Sequence, residues 1–167
     1  MRKIIVTEWM SLDGVIQSPA YADEDASDGF RLGGWHPSYF DARSMAWVVD
    51  NVTQAGGFLL GRRTYEVFAA HWPHASEQEQ MLARPLNALP KYIASRTFAS
   101  LFAWQQATLL TGEVAAAVAA LKQTDGKYLL VIGSSRLVQE LIAHDLVDEF
   151  RLMIDPLILG RGRSAPA

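Results

Sequence analysis

The chain has 167 residues, half of them hydrophobic and 20% charged, with a formal net charge of -3 and no cysteine. Domains usually hold roughly 100 to 200 residues, so one compact domain spanning 1–167 is expected, with enough apolar material to offset its ordering entropy. The missing cysteine excludes a disulfide, a thiolate nucleophile, an iron–sulfur cluster and a Cys-based zinc site. The acidic balance lacks the basic surplus that phosphate-gripping nucleic-acid proteins carry, so no nucleic-acid partner is expected.

Lys3 to Trp9 is a β-branched run that ends at the turn signal Ser11-Leu12-Asp13-Gly14, and it predicts a buried strand entering a loop. Gln17 to Tyr39 has no period and is rich in Gly, Asp, Ser and Pro. Such a long loop in a compact domain is a functional lid or disordered. Met45, Val48, Val49 and Val52 then recur at helical spacing behind Asp41, a fitting N-cap. Gly56 to Gly61 reads as a strand running into a helix capped by Thr64, and Ser76-Glu77-Gln78-Glu79 matches a capping box whose helix should stop before Pro85.

Lys91 to Ser95 predicts another strand, and the Ala-rich stretch Gly112 to Gln123 a helix. Tyr128-Leu129-Leu130-Val131-Ile132 is apolar without alternation, as in parallel strands covered on both faces. Leu137, Val138, Leu141 and Ile142 form the next helical stripe, and Glu149 to Ile154 is the last predicted strand. Strands alternating with helices indicate an α/β layer with a largely parallel sheet. The N-terminus lacks the apolar segment of a signal peptide, and no window approaches the ~20 apolar residues of a membrane span. The chain therefore reads as soluble and cytoplasmic, with the Asn51-Val52-Thr53 sequon fortuitous.

Three strand-to-helix junctions carry candidate chemistry: Gly61-Arg62-Arg63-Thr64, Ser95-Arg96-Thr97 and Gly133-Ser134-Ser135-Arg136. Each joins an apolar strand to small or hydroxylic residues and an arginine, a combination that suits phosphate oxygens at the carboxyl edge of a sheet. Each alone is also compatible with an ordinary capped turn. Together they point to an extended, multiply phosphorylated ligand such as a dinucleotide, although the Gly-x-Gly-x-x-Gly and Walker patterns are missing.

Other groupings are weaker. Asp23, Asp25 and Asp28 have the spacing of a calcium loop, but Asp28 stands where Gly is needed and Gly34 where Glu is needed, so they read as a solvated acidic loop. His71 and His74 lack a matching carboxylate motif and read as loop or helix-end histidines, leaving no metal site. Of the five tryptophans, Trp35 in the glycine-rich loop is the one placed to touch a ligand. No Gly-x-Ser-x-Gly elbow supports acyl transfer.

Taken in order, Val6-Thr7-Glu8-Trp9-Met10-Ser11-Leu12-Asp13-Gly14-Val15-Ile16, Leu60-Gly61-Arg62-Arg63-Thr64-Tyr65-Glu66, Val131-Ile132-Gly133-Ser134-Ser135, Asp148-Glu149-Phe150-Arg151-Leu152 and Pro156-Leu157-Ile158-Leu159-Gly160 resemble the dihydrofolate reductase-like superfamily. The resemblance is closest to the reductase domain of the bacterial riboflavin-biosynthesis deaminase/reductases and its stand-alone relatives. It implies an α/β fold with a central mixed, mostly parallel sheet flanked by helices on both faces, and NADPH bound across the sheet's carboxyl edge. Gly61, Arg62 and Thr64 would then contact pyrophosphate and ribose phosphate. Ser95 and Arg96 would hold the 2′-phosphate and adenine, and Gly133, Ser134, Ser135 and Leu137 would form the turn under the nicotinamide-side phosphate. Asp13 and Trp35 would face the substrate.

The implied activity is an NADPH-dependent reduction like that of 5-amino-6-(5-phosphoribosylamino)uracil, or of another small substrate; a non-catalytic ligand-binding protein on the same fold is the alternative. The partner deaminase activity needs a His/Cys/Cys zinc site that a cysteine-free chain cannot build in that form. Two departures stand out: Gly-Ser-Ser replaces the usual Gly-Gly, and the chain stops at Arg161 to Ala167 where relatives continue into a final edge strand. The open edge leads to an expected homodimer.

Overall fold

The computed structural model describes residues 1–98 and 104–165. Six strands, β1 (Ile4–Ser11), β2 (Gly57–Gly61), β3 (Lys91–Ala94), β4 (Ala107–Leu110), β5 (Leu129–Ile132) and β6 (Glu149–Asp155), form one sheet in the order β4-β3-β2-β5-β1-β6. Every ladder in it is parallel, so the antiparallel component implied by the family resemblance is reduced to an isolated bridge between Val15 and Ser164. Among the described residues five α-helices connect the strands: α1 (Ala42–Gln54), α2 (Arg62–His71), α3 (Gln80–Ala88), α4 (Val114–Lys122) and α5 (Ser135–Ala143).

Alternation along the central strands supplies two cores, because successive side chains point to opposite faces. Ile4 and Val6 of β1, Leu59 of β2, and Leu129 and Val131 of β5 pack under Val118 of α4 and under Leu137, Val138 and Leu141 of α5. Ile5, Phe58, Leu60, Ile93 and Leu130 face the other way, against Val52 of α1, Tyr65 of α2 and Leu86 of α3. Burying such side chains stabilises by roughly 1.5–3 kcal/mol each, which is why these strands need apolar residues at every position.

Helix starts follow local chemistry. Asp41 caps α1 by accepting from the amides of Arg43 and Ser44, both at 2.9 Å. The capping box forms as expected, with Ser76 and Glu79 bonded reciprocally, but it opens a short 3-10 turn over Glu77–Glu79 that leads into α3. α3 does not stop before Pro85; it runs through it. Pro85 removes one amide donor, toward the carbonyl of Met81, on a side of the helix where Met81 is 61% exposed, while Ala83 and Leu86 hold the opposite side in the core. Thr64 is not the cap of α2, whose N-cap is Gly61. β4 gave no signal as a strand: its four residues are only partly apolar and become a strand by pairing with β3, Lys91 opposite Ala107.

The long loop between β1 and α1 is ordered by side chains rather than by period. Asp25, expected to be solvated, is only 8% exposed. Arg63 at 2.6 Å and Arg163 at 2.9 Å hold its carboxylate, and Ser27 donates both hydroxyl and amide to it. A residue 138 positions away thus decides its burial, which no local spacing reveals.

Candidate functional site

The three glycine- and serine-bearing junctions end β2, β3 and β5, neighbours in the sheet, so they meet along its carboxyl edge. There they line one cleft of about 970 Å³, a volume at the upper end of ordinary ligand sites. Gly61, Arg62, Thr64, Ser95, Arg96, Gly133, Ser134, Ser135 and Leu137 all belong to its wall. Arg63 and Arg136 join them, and Arg136 forms no ion pair among the described residues.

The backbone at this edge is shaped for close approach. Gly61 ends β2 and starts α2, and a Cβ there would come within 3.1 Å of Ser134 Oγ. Gly133 and Ser134 take φ values of 55° and 69°, two successive left-handed residues before α5 begins. Gly does this freely, whereas Ser134 adopts it at a cost of about 1–2 kcal/mol. Its side chain offsets that: Ser134 Oγ accepts from the amide of Gly61 at 3.0 Å and shares a 2.8 Å bond with the Thr64 hydroxyl. Ser134 is therefore the tie between the β2 and β5 junctions. Neither α2 nor α5 has a side-chain cap hydrogen bond, so both helices present free amides and a positive dipole to the cleft.

The arginines are exposed and loosely held. Arg62 reaches Glu66 at 3.4 Å and Arg96 reaches Glu140 at 3.2 Å, surface contacts worth little on their own and easily exchanged for a phosphate. Ser95 Oγ accepts from the amides of Thr97 and Phe98, which fixes the turn bearing Arg96.

Asp13 and Trp35 are not brought to this cleft. The Asp13 carboxylate accepts from the Ser11 hydroxyl (2.7 Å), the Gly160 amide (2.7 Å) and the Leu159 amide (3.1 Å), bonds that hold it down to about 2 and bind the β1 turn to the segment after β6. Trp35 is buried and donates Nε1 to the Gln17 carbonyl, packing the loop from inside. In this arrangement Asp13 bonds within its own turn and to the segment after β6, and Trp35 packs inside the early loop.

Two groups escaped sequence reading. Glu8 lies on β1 in the cleft wall, 7% exposed, and burial pushes its carboxyl up to about 8. Its signal was a lone carboxylate within the run Ile4 to Trp9. Thr7, its neighbour, accepts from the Gly133 amide, so the strand carrying Glu8 is tied to the α5 turn. His36 stacks on Trp9 with ring centroids 4.0 Å apart, and its Nδ1 lies 2.7 Å from Asp155 Oδ2, a buried pair at the end of β6. Beside it a recess of about 220 Å³ is walled by Trp9, Ala20, Tyr21, His36, Pro37 and Phe40; Trp9, Ala20, Tyr21 and Phe40 also line the main cleft.

Among the described residues, no three His, Asp or Glu side chains gather so as to hold a metal ion. Likewise no helix is long and apolar enough to cross a membrane.

A model of the RibD C-terminal domain family matches residues 2–166, nearly the whole chain. The chain belongs to the RibD C-terminal domain family. It is 30% identical over 116 residues to YyaP of Bacillus subtilis (strain 168), itself an uncharacterized protein; the match spans 68% of this chain and 61% of YyaP. Its fold is similar to that of a Shewanella sp. PV-4 protein provisionally named for riboflavin biosynthesis, with a TM-score of 0.61 at 20% identity, over 97% of this chain and 81% of that one. The α/β fold is that of the riboflavin-reductase-like proteins.

Proposed function

We propose that the protein is an NADPH-dependent reductase acting on 5-amino-6-(5-phosphoribosylamino)uracil or, as a stand-alone member of its family, on another small substrate. One observation carries this reading: three separate strand ends, each with an arginine and hydrogen-bond donors, converge on one cleft with two uncapped helix N-termini. The fit to a dinucleotide is good. Gly61 and Gly133 allow backbone amides to approach a pyrophosphate, and Arg62 and Arg96 supply exchangeable charge for further phosphates.

Bound NADPH would supply the hydride; the protein's own part is binding, orientation and electrostatics. Thr64 and Ser134 keep the β2 and β5 junctions in register, so both helix ends address the same ligand. The apolar walls from Val48, Phe68 and Leu82 exclude water from the cleft.

Tryptophan fluorescence tests the reading. NADPH should quench it at lower concentration than NADH, and Arg96→Ala should weaken NADPH about tenfold while leaving NADH unchanged, the loss of one charge-assisted contact. Equal, weak responses to both cofactors would remove the claim, and binding without oxidation across a substrate panel would favour a non-catalytic ligand-binding protein.

A homodimer fits the same picture, because β6 is an edge strand that exposes Phe150, Leu152 and Ile154. Sedimentation should give twice the chain mass, and a monomer at micromolar concentration would count against it.

A further inference from the structure

The arginine end of the cleft carries an opposing charge of its own. Arg62, Arg63, Arg96 and Arg136 follow β2, β3 and β5 and line the cleft, but they differ in what holds them. Arg62 reaches Glu66, which is not among the residues that line the cleft. Arg63 is bonded to Asp25, a buried carboxylate that Arg163 and Ser27 also hold. Arg136 forms no ion pair among the described residues. Arg96 meets Glu140 at 3.2 Å, and Glu140 is itself part of the cleft wall.

Glu140 is placed by the helix that also bears Arg136. The two stand four residues apart on α5, so they share one face of it. From there Glu140 reaches the turn after β3, past β2, which lies between β3 and β5 in the sheet. One carboxylate is thus bonded to Arg96 and neighbours Arg136, two cations that a phosphate in this part of the cleft would meet. The Glu140 side chain is 25% exposed and that of Arg96 70% exposed, so water and salt weaken the pair and a ligand can part it. The Asp25–Arg63 bond differs, because Asp25 is buried and has Arg163 as a second cation.

A nucleotide ribose presents one of two groups to such a place. A 2′-hydroxyl donates to a carboxylate, whereas a 2′-phosphate pairs with arginine and is repelled by a carboxylate. We infer that Glu140 is a specificity-determining residue that works against the 2′-phosphate: it accepts from the free 2′-hydroxyl of NADH, opposes the phosphate that Arg96 and Arg136 attract, and so narrows the preference for NADPH below what the arginines alone would give. The inference rests on the reductase reading, which brings the 2′-phosphate to Arg96. On binding, that phosphate takes Arg96 from Glu140, and the released carboxylate stays nearby as a like charge.

The test compares NADPH and NADH, which differ in the 2′-phosphate alone, by calorimetry on the full chain at low salt. Glu140→Gln keeps the shape of the side chain without its charge. It should tighten NADPH about fivefold and leave NADH unchanged or slightly weaker, so that the ratio of the two affinities widens. Raising the salt to about 0.5 M should close most of the gap between wild type and variant. Glu66→Gln removes the same charge from Arg62 instead and should leave the ratio as it is. An unchanged ratio in Glu140→Gln, or an equal widening in Glu66→Gln, overturns the inference while NADPH binding stands. Absence of NADPH binding to the wild type overturns the reductase reading and this inference with it.

Discussion

Glu8→Met should stabilise the protein at pH 8 by a few kcal/mol. In the folded chain the carboxyl is buried and keeps its proton up to about 8, whereas an unfolded glutamate releases it near 4.5. Between those values the native state holds a proton that the unfolded state lacks, so stability falls as pH rises, by about 1.4 kcal/mol per pH unit. Below 4.5 both states are protonated and above about 8 both are ionised, so the slope from this group vanishes outside the window. Methionine fills a similar volume without a charge or an unpartnered oxygen. Urea midpoints for the two proteins between pH 5 and 8 should therefore diverge as pH rises, with the wild type losing stability and the variant not. Parallel curves would show that Glu8 is solvated in the folded protein. A stabilising substitution at a cleft residue is the pattern expected where a group is retained for binding rather than for folding.

What the sequence reveals about this molecule depends on how local the cause is. β1 and β5 were legible because strands buried on both faces need uninterrupted apolar residues, and β1 and β5 have them up to the edge of the cleft. The three strand-end junctions were legible as a local pattern: Gly, Ser, Thr and Arg at a strand end stand out in sequence, and Gly61, Ser95 and Gly133 do line one cleft. β4 was not, since Ala107–Leu110 becomes a strand only through its register with β3. Nor was the fate of the carboxylates. Asp13 and Asp25 look alike as turn and loop residues, but Asp13 is spent on the amides of Leu159 and Gly160, and Asp25 on Arg63 and Arg163. Those partners come from elsewhere in the chain, and composition does not announce them.

The same distinction sorts the cleft. Its arginine end is built from short segments that carry Gly, Ser, Thr and Arg together, a pattern visible in the sequence itself. Its β1 end is assembled from Glu8, Glu24, Asp25 and Arg163, which are contributed by one strand, the early loop and the segment after β6. The partners of those carboxylates exist only after folding, as the bonds of Asp25 to Arg63 and Arg163 show.

Lys91→Met is expected to cost about 3 kcal/mol or more, since three backbone carbonyls lose their donor at about 1–3 kcal/mol each when left unsatisfied. Lys91 is fully buried at the start of β3, and its ammonium donates to the carbonyls of Leu86 (2.7 Å), Leu89 (2.8 Å) and Asn87 (2.9 Å), while it sits 4.5 Å over the Trp104 ring. It therefore closes the C-terminal end of α3, whose last carbonyls have no helical partner. Methionine keeps the stem and the contact with Trp104 but leaves three carbonyls without that donor. The pH dependence separates this from a packing defect. Burial lowers the amine to about 8 from 10.5, so between those values the unfolded chain holds a proton that the folded chain has released, and stability from this group rises with pH. Below about 8 the ammonium is charged in both states and the slope is zero. Guanidinium unfolding at pH 7, 8.5 and 10 should show the wild type gaining on Lys91→Met across the upper interval; a constant difference from pH 7 to 10 would mean that the amine titrates alike in the folded and unfolded chain.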